Sequence, residues 1–467
     1  MVFETLLDLD DTEQPYGHEL CSGACLIPLS ETCRHMRAVT LPWIFHEVYN
    51  WRRHGVDVWP DTLWCFFRTV HIRDHSVRRP SQLWLTPQMY GALPKMEALT
   101  KVTLRLQAAI PIELLSALSS VCSLSVLEIH QVRFDGPSPD DLSFPSLSSL
   151  SIGIGGFRGV GRVPDINKNR ERENIATFLR SVSQHLTTLC ISGDLLSSQE
   201  HAPSPFIHVP NLIAQMPVLR SLGILFTPSP QRNSFNLPVA FTLGTSDGSQ
   251  LGDISPHLTS VSFSNIGSDD PIYRQLPSTL ESLHLMPLCD RYAIDVSMHP
   301  DMGEFRFLEE DAATALENIS NLDQLVDLTF TPFVRPPSPE VISTIARQFP
   351  MLRCLHLGSS MWLPNDLYLV EFPEKDFLEA LRLIQCLRHL KVSFDIFWDS
   401  LDRGPPAYGA YRLMQELPDL QTVSHCWRHC HATSPHRWDT WDRSLLLQST
   451  PPRIPKEIPD IELQRAL

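Results

Sequence analysis

A chain of 467 residues, 43% apolar and 19% charged, has the material for a large core and is too apolar for an intrinsically disordered protein. Its 38 Lys plus Arg stand against 53 Asp plus Glu, a formal net charge of −15. That balance argues against nucleic acid as the main partner, because phosphate binding needs a basic surface. The 39 prolines punctuate the whole length and predict many short elements rather than long helices. No apolar run reaches the roughly 18 residues of a membrane span. The opening "MVFETLLDLDD" is acidic where a secretory signal would be basic, so a cytoplasmic or nuclear location and no membrane partner are expected. The 11 cysteines are odd in number and scattered, which fits reduced thiols better than a disulfide framework.

In chain order, Val2, Phe3, Leu6 and Leu7 make a short amphipathic turn or two. The stretch "LIPLSETCRHMRAVTLPWIFHEV" (26–48) follows. Leu26, Leu29, Cys33 and Met36 recur at helical spacing, with Arg34 and Arg37 off that stripe or at its edge. Pro42 marks a break and is expected to open a second helix. Trp43, Ile44, Phe45 and Val48 add more apolar surface than one short helix needs. Helices this small enclose little core alone, so the unit is expected to complete itself against a partner, or against the domain behind it as an end cap.

This stretch resembles an F-box. Cys33-Arg34-His35-Met36-Arg37 matches the family's Cys-basic-x-bulky-basic core, and Leu41-Pro42-Trp43-Ile44-Phe45 matches its closing segment. "VFETLLDLDD" looks like the first helix, with Glu4 and Leu6-Leu7 in place. The family's opening Leu-Pro is absent, and the insert "TEQPYGHELCSGAC" separates the first and second helices. The segment "WPDTLWCFFRTVHIRD" looks like the one that joins an F-box to repeats in fungal proteins of this kind.

Beyond it a repeat takes over. The pattern apolar-x-x-apolar-x-apolar runs through Leu99-Val102-Leu104, Leu124-Leu127-Ile129, Leu147-Leu150-Ile152, Leu186-Leu189-Ile191 and Leu219-Leu222-Ile224. It continues through Leu258-Val261-Phe263, Leu280-Leu283-Leu285, Leu325-Leu328-Phe330, Leu352-Leu355-Leu357 and Leu387-Leu390-Val392, with a partial copy at Leu420-Val423. Each copy alternates like a short strand, and many follow a proline, as in "FPSL", "MPVL", "FPML" and "LPDL". Between copies lie helical patterns. "ERENIATFLRSVSQHL" sets Ile175, Phe178, Leu179 and Val182 on one face, and "EKDFLEALRLIQCL" gathers Phe377, Leu378, Leu381 and Ile384. "SPEVISTIARQFP" offers Ser338 as N-cap and Pro339 in the first turn.

The repeat resembles degenerate, long-unit leucine-rich repeats over about residues 96–423. The Asn or Cys of that family is replaced by Gln107, Val132, Gly155 and Asp194, and the spacing from Leu280 to Leu325 far exceeds that from Leu99 to Leu124. The expected fold is therefore α/β: a short N-terminal helical F-box-like module followed by an irregular leucine-rich-repeat solenoid, a horseshoe with strands on its concave side. Loop insertions are expected near 133–145, 228–256 and 287–318. The expected organisation is a helical module over 1–50, a connecting segment and first cap over 51–95, the solenoid over 96–425, and a C-terminal cap and tail over 426–467.

The residues flanking each second apolar position should face the concave side. Lys101, Glu128, His284, Asp327, His356 and Lys391 are the candidates there for contact with a target protein. The glycine cluster "GIGGFRGVGR" (153–162) follows a strand, but Arg158 stands where a dinucleotide loop needs its third glycine, so an inter-repeat loop is expected. "SHCWRHCHATSPHRW" carries His425, Cys426, His429, Cys430, His431 and His436 without a second matched pair at finger-like spacing. Packing of Trp427, Trp438 and Trp441 over the last repeat accounts for it equally well, and no metal is expected. With no Gly-x-Ser-x-Gly elbow, Walker loop or His-Glu-x-x-His, no enzymatic activity and no cofactor are expected.

The two resemblances together imply a substrate receptor of a cullin–RING ubiquitin ligase. Leu26, Leu29, Cys33, Met36, Leu41, Pro42, Trp43 and Phe45 would dock on a Skp-type adaptor, and the repeats would hold an unknown target. The alternative is a non-enzymatic repeat scaffold whose N-terminal helices cap the solenoid.

Overall fold

The structure is a computed structural model that describes residues 26–50, 61–73, 87–106, 110–132, 134, 142–154, 168–194, 209–227, 250–264, 266–286, 309–333, 337–359, 374–392, 406–427 and 437–446. The expected first helix at 2–11, the insert that follows it, most of the glycine cluster and residues 428–436 lie outside these. The chain forms two compact units, Met1–Asp194 with Asn211–Ser221, and Leu195–Pro210 with Leu222–Leu467.

In the first unit six strands run parallel and neighbour one another in chain order: β1 (Glu47–Asn50), β2 (Thr69–Arg73), β3 (Lys101–Arg105), β4 (Val126–Val132), β5 (Ser149–Ile154) and β6 (Thr188–Asp194). Their second apolar positions stack in one register: Val48, Val70, Val102, Leu127, Leu150 and Leu189. All are buried. The helix Lys168–Val182 buries Ile175, Phe178, Leu179 and Val182, the face its spacing predicts.

The second unit has all but the first residue of β7 (Ser221–Thr227), then β8 (Ser260–Ser264), β9 (Ser282–Met286), β10 (Asp327–Phe333), β11 (Cys354–Ser359), β12 (His389–Val392), β13 (Thr422–Trp427) and β14 (Arg437–Asp442). From β8 to β13 the pairing is parallel and in chain order, stacking Val261, Leu283, Leu328, Leu355, Leu390 and Val423. β14 joins β13 antiparallel, bringing Trp441 opposite Val423 and Trp438 opposite Cys426. Arg443 follows, its guanidinium donating to the carbonyls of Met414, Leu417 and Leu420 at the end of the helix Pro406–Glu416. Helix Pro339–Gln348 starts as read: Ser338 Oγ accepts from the Val341 amide at 3.4 Å, with Pro339 in the first turn.

Two backbone devices recur. Before each of the ten full Leu-led copies except that at Leu186, the amide of the first apolar residue bonds the carbonyl three residues back, closing a tight turn, as do Leu99 on Met96, Leu219 on Met216 and Leu352 on Phe349. Proline suits the second place of such a turn, where its fixed φ costs nothing, and this explains Pro145, Pro217, Pro256, Pro350 and Pro418. Just beyond the turn, two successive amides of one repeat share a single carbonyl of the repeat before. The Arg68 carbonyl accepts from Thr100 and Lys101, Thr100 from Ser125 and Val126, and Val326 from Arg353 and Cys354.

The ladder begins earlier than the Leu-based reading, with β1 and β2 lying before residue 96. Phe67-x-x-Val70-x-Ile72 is the repeat pattern written without leucine, and all three side chains are buried. Part of the insertion expected at 287–318 is a helix, Glu309–Asn318, with Ala312, Ala315 and Leu316 buried. Its apolar face is built mainly of alanine, which a search for bulky periodicity passes over. Pro42 lies inside one continuous helix, Arg34–Ile44, rather than opening a second. Its lost amide removes a single bond in the last turn, and the Phe45 amide still reaches the Leu41 carbonyl at 3.1 Å.

The stacked apolar rows should dominate stability. Leu328→Ala, in a row with no exposure, is expected to cost about 2–5 kcal/mol. Ser260→Ala, on the opposite side of the pleat, should stay within about 0.5 kcal/mol in urea unfolding followed by circular dichroism.

Candidate functional site

Two surfaces carry the expected functional residues. The first is the helical pair Ile27–Ser30 and Arg34–Ile44. Cys33 caps the longer helix in an extended conformation, its thiol accepting from the Met36 amide at 3.4 Å. That amide draws the exposed thiol's pKa below its ordinary value. Leu26, Thr40, Ile44 and Val48 are buried, so one side of this element packs into the first unit. The Thr40 hydroxyl donates to the Met36 carbonyl at 2.8 Å, which makes its burial tolerable. Phe45 lies 6.4 Å from the Phe67 ring, centroid to centroid.

The remaining apolar residues are covered less completely. Ile27 and Val39 are 43% and 36% exposed, and Met36, Leu41, Pro42 and Trp43 are half-exposed. Of the eight residues assigned to adaptor contact, Leu26 is buried inside the fold and Phe45 contributes to packing on Phe67. Cys33 is exposed as the cap, and the Leu29 side chain lies outside the described residues. Ile27 and Val39 were missed. Val39 sits three residues after Met36 and four before Trp43, on the same helical stripe, and that spacing was the available signal.

The second surface is the polar side of the sheet, where alternate residues of successive strands stand in rows. In the first unit Lys101 Nζ lies 2.8 Å from Glu128 Oε1, and the Thr103 hydroxyl donates to Glu128 Oε2 at 2.9 Å. Burial pushes the Glu128 carboxyl up, but these donors outweigh it and hold its pKa below the usual range. His130 Nε2 is 3.9 Å from the same carboxylate, and its pKa is lowered by burial and then by Arg105. Sequence reasoning missed a further pair across β1 and β2, His71 Nε2 to Glu47 Oε1 at 2.6 Å. Two residues of these rows, Thr103 and Thr329, are buried.

In the second unit the structure brings together four of the named target residues, all on β9 to β12. His284 Nε2 contacts Ser282 Oγ at 2.9 Å and Asp327 Oδ2 at 3.4 Å. Ser282 and Asp327 converge on the same imidazole nitrogen, so the ring cannot relay a proton between them as a Ser-His-Asp triad does. His356, two strands from His284, is pushed down to about 4, by burial first and then by the charges of Lys391 and His284. His389 Nδ1 meets Thr422 Oγ1 at 2.8 Å. Burial, and then Asp327, raises the Cys354 thiol.

Among the described residues no three His, Cys, Asp or Glu side chains come close enough to share a metal ion. No helix among them is long and apolar enough to cross a membrane.

No family model and no curated protein matches the chain. Among solved structures it is similar to the leucine-rich repeat-containing protein LegL7 from Legionella pneumophila, at 12% identity over 81% of this chain and 90% of that one, with a TM-score of 0.38. It is similar also to the Rad7 and Elc1 complex of yeast, at 13% identity over 85% of this chain and 88% of that one, with a TM-score of 0.36. Likenesses this low carry no argument. The repeat architecture rests on the register of the chain's own strands.

His356 supplies a pH signature. With its folded pKa below the ordinary 6.5, the unfolded chain binds the extra proton as pH falls. Its contribution to stability is complete above about pH 6.5 and is lost progressively toward about pH 4. Thermal unfolding of His356→Gln should therefore fall less steeply across that window than unfolding of the unaltered protein.

Proposed function

We propose that this protein is a non-enzymatic substrate-recognition subunit of an SCF-type cullin–RING ubiquitin ligase. Its N-terminal helices dock on a Skp-type adaptor and its repeats bind a target protein. The observation that carries this reading is the two-sided N-terminal helix. Thr40 and Ile44 anchor it inward, while Ile27 and Val39 are exposed and Met36 and Trp43 are partly exposed beside them. Exposed apolar stripes on short helices are the form an adaptor groove takes up. The match of 33–37 and 41–45 to the F-box pattern supports the choice of partner. Catalysis belongs to other subunits on this reading, and the polar rows of the sheet supply the target surface.

The scaffold reading, with the helices as a cap, has its own support. The chain runs from Ile44 through two residues into β1, and the His46 carbonyl is the first shared acceptor of the ladder among the described residues. Deleting the N-terminal region would remove that strand along with the helices, so deletion does not separate the two readings. Outward substitutions do. Ile27→Asp combined with Val39→Asp should reduce capture of a purified Skp-type adaptor at least about ten-fold while leaving the melting temperature nearly unchanged. Ile44→Asp should lower the melting temperature. Absence of adaptor capture by the unaltered chain, or capture indifferent to Ile27 and Val39, would sink the receptor reading and leave the capped scaffold.

A further inference from the structure

No further inference is drawn: the strongest candidate, the groove of about 450 Å³ along the helix Ile112–Ser119 of the first unit, lined by Ile112, Glu113, Ser116, Ala117 and Ser120, carries nothing because nothing in the structure shows what covers it.

Discussion

The bond on which the rest depends is the backbone carbonyl shared by two amides of the following repeat. His46, Arg68, Thr100, Ser125 and Ser148 form one such series in the first unit, and Thr259, Glu281, Val326, Arg353 and Arg388 form another in the second. A carbonyl oxygen has two lone pairs, and using both pins the start of each strand to the last one with no freedom to slip by a residue. A one-residue slip would turn every side chain to the other face and expose the apolar rows. With the start fixed, the alternation does the rest. Valine, leucine or isoleucine at the second position stacks on its counterparts, and the residues on either side form the polar rows. The spacing between repeats can then vary widely without disturbing register, since lengthening a loop adds little to its closure entropy.

That separation of roles explains why the polar rows carry whatever chemistry the chain has. Burial forces the apolar positions, whereas the flanking ones are free to differ from strand to strand. In the first unit they pair charges across strands, as Lys101 does with Glu128 and His71 with Glu47. In the second they collect imidazoles and a lysine around one aspartate. Such cross-strand pairs contribute modestly to stability, and the apolar rows supply most of it.

How legible was this in the residues? The ten Leu-led copies each became a strand or led into one, because three apolar positions in six residues already specify which face is buried. The proline upstream of five copies gave away the turn. What escaped notice had a physical reason each time. β2 uses Phe67, Val70 and Ile72, which fill the same volume as leucines but break a search keyed to one residue type. The helix Glu309–Asn318 packs on small alanines. Nothing local reveals that the Thr103 hydroxyl meets Glu128 one strand away. The association of His284 with Asp327 joins residues 43 apart in sequence and depends on register alone. On the N-terminal helix, spacing identified the amphipathic pattern but could not say which stripe faces in. Thr40, a polar residue, lies on the buried stripe, its hydroxyl bonded to the helix's own backbone.

The two-sided helix also ties docking to the edge of the sheet. Its inner residues end at Ile44, and three residues later β1 begins, so the helix and the first strand share one stretch of backbone. β1 has only four residues, and a strand that short adds few ladder bonds of its own. What holds it is the packing of Val48 in the apolar row, the contact of Phe45 with Phe67 and the bond of His71 to Glu47. A partner seated on Met36, Val39 and Trp43 binds only the folded helix, and by mass action it stabilises the ordered arrangement of everything continuous with it. On the proposed reading the cap and the docking surface are therefore not rival uses of one helix. The inward stripe closes the first unit, and closing it holds the outward stripe in the rigid form that a partner requires.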